Sequence, residues 1–320
     1  MRRLSSVFLL CCLVVCCFLN AQKSQPPAGS ATGDPIFVSD TRLVDLPVSV
    51  SDRSGKLITD LPQKAFKVYE NGVEQPIKIF KREDVPVSLG IIIDNSGSMK
   101  EKRQKVEVAS MDLVKASNRD DEVFIVNFND DAFLDVEFTN DIKTLEEGVG
   151  RIDSRGGTAM RDAISMSIDY LKSKGKKHKK VLLVVTDGND NASTINLEKV
   201  VNRARQSEVL IYAIGLLSEE ERHDAKIAKR ALDALANESG GLAFYPKAVA
   251  DVDRIALQVA HDIRNQYTIA YSPTIQAMDG SFRQIKVTVN TGGRPLIRTR
   301  TGYYATEDPA KKTISQAPTR

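Results

Sequence analysis

From Pro86 onward, uninterrupted apolar runs alternate with stretches in which apolar residues recur every three or four positions. The runs cover 89–93, 123–128, 181–185 and 209–216. Continuous apolar runs of this length predict strands covered on both faces. Between them, Val106, Ala109, Leu113 and Ala116 share one helical face, as do Met160, Ile164, Ile168 and Leu171. Residues 196–207, 224–239 and 252–266 are three more helix candidates, and 132–138 adds a short hairpin partner. The alternation predicts an α/β fold with a doubly wound, mostly parallel sheet and helices on both faces.

On either side the grammar is different. Val44, Leu46, Val48 and Val50 alternate with polar residues, as in a half-buried strand, and Pro47 within them predicts an edge strand or a bulge. Asp52-Arg-Ser-Gly55 reads as a turn, and Phe66 and Val68 open a second strand. Asn71-Gly72 then reads as a hairpin turn, with Ile77 and Ile79 continuing the return strand. After the last helix, alternation resumes at Tyr267, Ile269 and Tyr271 and at Ile285, Val287 and Val289. A final strand, 296–304, follows Gly292-Gly293. Neither β segment, 36–83 or 266–305, has enough strands to bury a core alone. The expectation is that they pair into one β-sandwich with the α/β domain, 86–265, inserted between its halves; two separate small β modules are the alternative.

The chain opens with Met1-Arg2-Arg3 and an uncharged, mostly apolar stretch from Val7 to Leu19. That stretch is too short for a bilayer span of ~20 residues but fits a secretory signal, with cleavage expected after Ala21. An uncleaved anchor is the alternative. Residues 22–35 read as a polar, Pro/Gly-rich linker, and 306–320 as a flexible tail. The expected product is exported to the periplasm, the cell surface or the medium, with no integral membrane segment after cleavage. All four cysteines, Cys11, Cys12, Cys16 and Cys17, lie in the signal, so the mature chain has no disulfide or thiol chemistry. Losing Arg2 and Arg3 takes the net charge from +3 to +1, which offers no general attraction for nucleic acid or anionic membrane.

Candidate chemistry gathers where strands end. The first α/β strand stops in Asp94-Asn-Ser96-Gly-Ser98, at the sheet edge where open α/β folds bind ligands. Arg155-Gly-Gly-Thr158 puts a threonine in a glycine-rich turn before a helix, and Thr186-Asp187-Gly188 puts a carboxylate directly after a strand. Taken singly, Asp94, Ser96, Ser98 and Thr158 also suit helix caps, and Asp187-Gly188 a common turn. Together Asp94, Ser96, Ser98, Thr158 and Asp187 offer only oxygen, which suits a hard cation such as Mg²⁺. Two ionised aspartates would balance its charge.

In this order and spacing, these five residues resemble the metal-ion-dependent adhesion site of von Willebrand factor type A domains. The resemblance covers about residues 86–265. It implies that the two serines bind the metal directly and the threonine directly or through water. The two aspartates then act mostly through water or as alternates. It further implies Mg²⁺, with Mn²⁺ or Ca²⁺ as substitutes, and a protein partner presenting an acidic residue. In some members ligand binding shifts the last helix, here 252–266. The flanking segments, with Phe66-x-Val68-Tyr69-Glu70-Asn71-Gly72 and Gly302-Tyr303-Tyr304, are similar to a related family of secreted bacterial proteins.

The function expected is a divalent-cation-dependent protein-binding module of adhesion type, not an enzyme. A structural envelope or pilus-associated component with a non-essential metal site is the alternative. A Mg²⁺-dependent phosphotransferase using Asp94 as nucleophile ranks below both. Aspartyl enzymes of the haloacid dehalogenase type usually carry a second acid two residues on, where this chain has Ser96. His178 lies in the lysine-rich stretch 172–180, and His223 and His261 fall in helix-like segments, so Ser-His catalysis is poorly served.

Overall fold

In the computed structural model, which describes residues 42–306 except 83, 117, 151–153 and 219–221, Val44, Leu46, Val48 and Val50 form the buried face of β1 (Val44–Ser51). The described residues belong to one unit, Thr41–Arg320. The expected export signal, the linker, residues 36–41 of the first β segment and the tail beyond Thr306 lie outside the described residues.

After β1 come β2 (Phe66–Glu70), β3 (Val73–Gln75) and β4 (Ile77–Lys81). The α/β unit follows as β5 (Val87–Asp94), α1 (Arg103–Lys115), β6 (Glu122–Phe128), β7 (Ala132–Thr139), α2 (Ile142–Val149) and α3 (Met160–Lys174). It continues as β8 (Lys179–Thr186), α4 (Leu197–Ser207), β9 (Leu210–Gly215), α5 (Arg222–Ser239), β10 (Ala243–Phe244) and α6 (Val252–Arg264). The chain closes with β11 (Tyr267–Tyr271), β12 (Phe282–Val289), β13 (Leu296–Arg298) and β14 (Gly302–Tyr304).

Six strands in the order β10-β9-β8-β5-β6-β7 form the central sheet, parallel throughout except for β7 at one edge. Every residue of β5 is buried, because the sheet is covered on both sides. Leu89, Ile91 and Ile93 face α1, α2 and α6 through Val106, Leu113, Leu145, Val252 and Val259. On the other side Ile92, Phe124 and Val184 face α3, α4 and α5 through Ile164, Ile168, Val200 and Leu235. The fold is therefore the doubly wound α/β architecture that the alternation predicts. Two small elements escape the pattern. Helix α2 starts at Asp141, whose side chain accepts the Lys143 N–H, and it buries Leu145 and Val149; β10 is a two-residue extension beside β9.

Gly90 sits mid-strand in β5, where a Cβ would lie 2.3 Å from Cζ of Phe124 and 2.5 Å from Cδ2 of Leu182. The Phe124 ring has little room to yield, since Phe138 and Tyr170 each stand 4.9 Å from it, centroid to centroid. Overpacking a core costs about 1–3 kcal/mol, so Gly90→Ala is expected to lose about that much. A lower denaturant midpoint at unchanged slope is the measurement.

The strands flanking this unit in sequence pair with one another. One antiparallel sheet has the order β13-β1-β11-β4 and the other β14-β12-β2-β3. They share a core built from Val44, Leu46, Val48, Phe66, Val68, Tyr267, Ile269, Tyr271, Ile285 and Val287. Pro47 falls where β1 pairs on one side only, with β11, because β13 reaches only Ser49–Ser51. Its missing N–H therefore breaks no ladder on the β13 side.

Two strand expectations need correction. Asn71 and Gly72 do turn a hairpin, both at positive φ, but its return strand is β3. Ile77 and Ile79 do not continue it. Pro76 has no N–H to extend the ladder, and beyond it the chain crosses to the other sheet, where β4 pairs with β11. Likewise 296–304 is not one strand but two, β13 and β14, in opposite sheets.

The crossing between those two strands joins the sandwich to the α/β unit. Gly240, at φ +89°, ends α5 where a Cβ would lie 2.6 Å from the Arg300 N. Arg298 Nη2 donates to both carboxylate oxygens of Asp262 on α6 at 2.8 Å, and the Tyr212 hydroxyl from β9 donates to Asp262 Oδ2 at 2.6 Å. Burial and the adjoining carboxylate push the Tyr212 hydroxyl well above its ordinary pKa, so it stays a donor. Gln266, between α6 and β11, reaches both Tyr212 and Ser49 through its side-chain nitrogen. Among the described residues no helix is long and apolar enough to cross a membrane.

Candidate metal centre

β5 and β8 are parallel neighbours in register, Ile93 beside Val185, so Asp94 and Asp187 emerge side by side at the carboxyl edge of the sheet. Apolar residues fill the middle of both strands, 89–93 of β5 and 181–185 of β8, and polar ones follow at the carboxyl end. Beyond Asp94 a short 3-10 turn, Gly97–Met99, carries the chain into α1 and buries Met99 beneath it.

Four of the five expected site residues are linked directly. Asp94 Oδ1 accepts the Ser96 backbone N–H at 2.8 Å. The hydroxyls of Ser96 and Ser98 are 3.1 Å apart, and Ser98 donates to Asp187 Oδ1 at 2.8 Å. The fifth, Thr158, stands on the adjoining loop. Its hydroxyl oxygen is 3.9 Å from the position a Cβ on Gly188 would take, and no side-chain hydrogen bond ties it to the other four. Asp94, Ser96, Thr158 and Asp187 are buried, while Ser98 is exposed.

The loops are held by residues that pattern reading overlooks. Gly97 N–H donates to the Gly156 carbonyl at 3.3 Å and Arg155 N–H to the Asn95 carbonyl at 2.9 Å, which stitches the serine loop to the threonine loop. Asp130 accepts the Gly157 N–H at 2.7 Å and crowds Gly156, whose Cβ would fall 2.1 Å from its carboxylate. At φ +76° as well, that position requires glycine. Asp190 and Asn191, though adjacent in a polar loop, are not simply solvated. Asp190 pairs with Arg161 at 2.8 Å and accepts its N–H, and Asn191 Oδ1 accepts the Thr158 N–H at 2.8 Å. Thr186 is the last residue of β8 and donates to Asp94 Oδ2 at 2.5 Å. Such partners leave no signature of period or composition.

Electrostatically the site calls for a cation. Burial pushes Asp94 up to about 6; hydrogen bonds from Thr186 and Ser96 oppose the shift, and the neighbouring Asp187 charge adds to it. Two carboxylates with almost no access to water are costly without positive charge nearby. The donor set consists of hydroxyl and carboxylate oxygen, which fits a hard divalent ion. Among the described residues no three His, Cys, Asp or Glu side chains converge as a metal cluster, as expected where hydroxyls outnumber the acids. One positive group does reach the site: Lys102 Nζ lies 2.5 Å from Asp187 Oδ2.

Over 102 residues the chain is 32% identical to integrin alpha-11 of Mus musculus, covering 30% of this chain and 8% of the integrin. Over 157 residues it is 29% identical to an uncharacterised protein of Borreliella burgdorferi, covering 45% of this chain and 46% of that protein. The chain thus spans less than half the length of these relatives. Proximal thread matrix protein 1 from the mussel byssus, solved with a zinc-occupied MIDAS motif, aligns over 61% of this chain and 50% of its own. That alignment has 16% identity and a TM-score of 0.47. The family model of the von Willebrand factor type A domain matches residues 89–258, more than half of the chain. The chain belongs to the von Willebrand factor type A domain family.

Proposed function

We propose that this protein is an exported, divalent-cation-dependent protein-binding module of adhesion type. The observation that carries the reading is the convergence of two buried carboxylates and a pair of serine hydroxyls at the β5–β8 edge, with Thr158 on the adjoining loop. Ser96, Ser98 and Thr158 would hold Mg²⁺, or Mn²⁺ or Ca²⁺ in its place, while Asp94 and Asp187 balance its charge. When bound, the cation supplies a Lewis-acidic position that accepts a carboxylate from a protein partner. Nucleic acid takes no part. The same reading divides the chain into an export signal (1–21), a linker (22–35), a sandwich built from 36–83 and 266–305, the binding domain (86–265) and a tail (306–320).

This chain's own residues would do the rest. Thr186 and the Ser96 N–H fix the orientation of Asp94 from below, so the carboxylate is set before any ion arrives. The exposed side of Ser98 leaves the site open to a partner. Similarity to a segment of integrin alpha-11 supports the adhesion reading.

The test is capture from an envelope extract on immobilised protein, in Mg²⁺ or in EDTA. Partners retained in Mg²⁺ and released by EDTA are expected, and isothermal titration should register saturable Mg²⁺ binding to the protein alone. Identical partners under both conditions, with no Mg²⁺ uptake, would sink the reading.

A further inference from the structure

We infer that Lys102 is a tethered cation that occupies the Asp187 side of the metal centre and must be expelled when a divalent ion enters. The inference rests on the metal-binding reading and adds to it a residue that sets the affinity.

Lys102 is the residue from which α1 departs: its carbonyl accepts the N–H groups of Lys105 and Val106. A positive charge there opposes the helix dipole, which favours anions at that end. The placement makes sense only through what the side chain reaches. Its ammonium lies 2.5 Å from Asp187 Oδ2, while Ser98 donates to the other oxygen, Oδ1, at 2.8 Å. Both oxygens of Asp187 are therefore engaged, one by an expected metal ligand and one by the lysine ammonium.

The pair is lopsided in burial. The Asp187 side chain is 1% exposed and the Lys102 side chain 26%. The carboxylate has no route to water, whereas the lysine, on a flexible four-carbon stem, can swing out. With the ammonium in place, two carboxylates are met by one positive charge and the site carries about one net negative charge. A divalent ion in place of the ammonium would neutralise both carboxylates, whereas the two cations together would overshoot and repel one another strongly in so dry a place. Entry of the ion is thus an exchange of one cation for another.

The consequence is thermodynamic. If the latched form is favoured by about tenfold, the apparent dissociation constant is raised by about that factor. Removing the lysine removes the competitor, and it also leaves the ion-free site with an uncompensated buried carboxylate. Lys102→Met should then bind Mg²⁺ about tenfold more tightly, ~1.4 kcal/mol, and melt at a lower temperature in EDTA than the wild type. Lys102→Arg, which keeps the charge, should stay close to the wild type in both measurements.

Isothermal titration of MgCl₂ into chelator-stripped wild type, Lys102→Met and Lys102→Arg, with melting curves in EDTA, tests this. Lys102→Met affinity equal to or weaker than the wild type, alongside clear wild-type binding, would overturn the role of Lys102 and leave the metal reading standing. No Mg²⁺ binding by any of the three would instead overturn the metal reading. Should Lys102→Met fail to fold, ¹³C-lysine-labelled wild type decides: one lysine Cε resonance is expected to shift as Mg²⁺ saturates the site. No shift at saturation would refute expulsion.

Discussion

Changing Ser96 and Ser98 together to alanine is expected to abolish divalent-cation binding while leaving the fold in place. Removing a residue that only supports a metal ligand costs about 10–100-fold in affinity, so removing two direct oxygen donors should exceed about 100-fold. The structure separates this loss from unfolding. The bond that orients Asp94 comes from the Ser96 backbone, which alanine retains, and from Thr186, which is untouched. The Ser96 hydroxyl bonds that of Ser98 and adds to the backbone bond on Asp94, while Ser98's own further bond is to Asp187. Losing that bond to a carboxylate should cost about 1.5–3 kcal/mol. Wild type in Mg²⁺ at a hundred times its dissociation constant should gain about 2.7 kcal/mol over its state in EDTA. The double variant should gain nothing from Mg²⁺, while in EDTA it should still unfold cooperatively, at a temperature lowered only by the loss of that bond. A double variant that Mg²⁺ stabilises as much as the wild type would show that these hydroxyls hold no ion.

The largest effect on stability should come from a residue far from that site. Asp262→Ala is expected to destabilise the protein by about 3–5 kcal/mol, the range for removing one partner of a buried ion pair. Asp262 is buried on α6 and takes Arg298 through both carboxylate oxygens and Tyr212 through one. Without it, the partly buried guanidinium and the buried phenol lose their shared partner between the sandwich and the sheet. The partner change discriminates pairing from general damage. Adding Arg298→Met to Asp262→Ala removes the stranded charge, so the double variant should be more stable than Asp262→Ala alone. Equilibrium unfolding of both single variants and the double variant gives the coupling directly. A loss below about 1 kcal/mol in Asp262→Ala would mean the pair does not join the two layers. The pair also bears on motion, because any sliding of α6 has to break Arg298 from Asp262 or carry β13 with it.

Much of this architecture can be read along the chain, for a definite reason. Strands buried on both faces must be apolar throughout, so β5, β6, β8 and β9 announce themselves as runs, and the helices between them as 3.6-residue stripes. The Asp94-x-Ser96-x-Ser98 spacing is equally visible, because its members sit within five residues and interrupt an apolar run. Helix α2 is short enough that one cap and three apolar residues, Ile142, Leu145 and Val149, make its whole signal. The hairpin at Asn71-Gly72 is local and legible; the crossing at Pro76 depends on which sheet can accept β4, and no local pattern states that.

By itself the sequence determined the class of fold, the oxygen-only chemistry at strand ends and the alternating faces of the flanking strands, since these follow from residue type and short-range spacing. The tertiary structure alone decided that β5 and β8 are neighbours, and so that Asp94 and Asp187 share one edge. It also decided that Thr186, Asp130, Asp190 and Asn191 brace the loops there. The same holds for Lys102, which as a lysine beside a helix start reads as a solvated charge until the chain folds Asp187 against it. Strand order and loop contact join residues ninety positions apart, and periodicity carries no information over that distance. A buried carboxylate must nevertheless find a positive charge once the strands have paired, and that requirement is what turns a polar turn after β5 into a site.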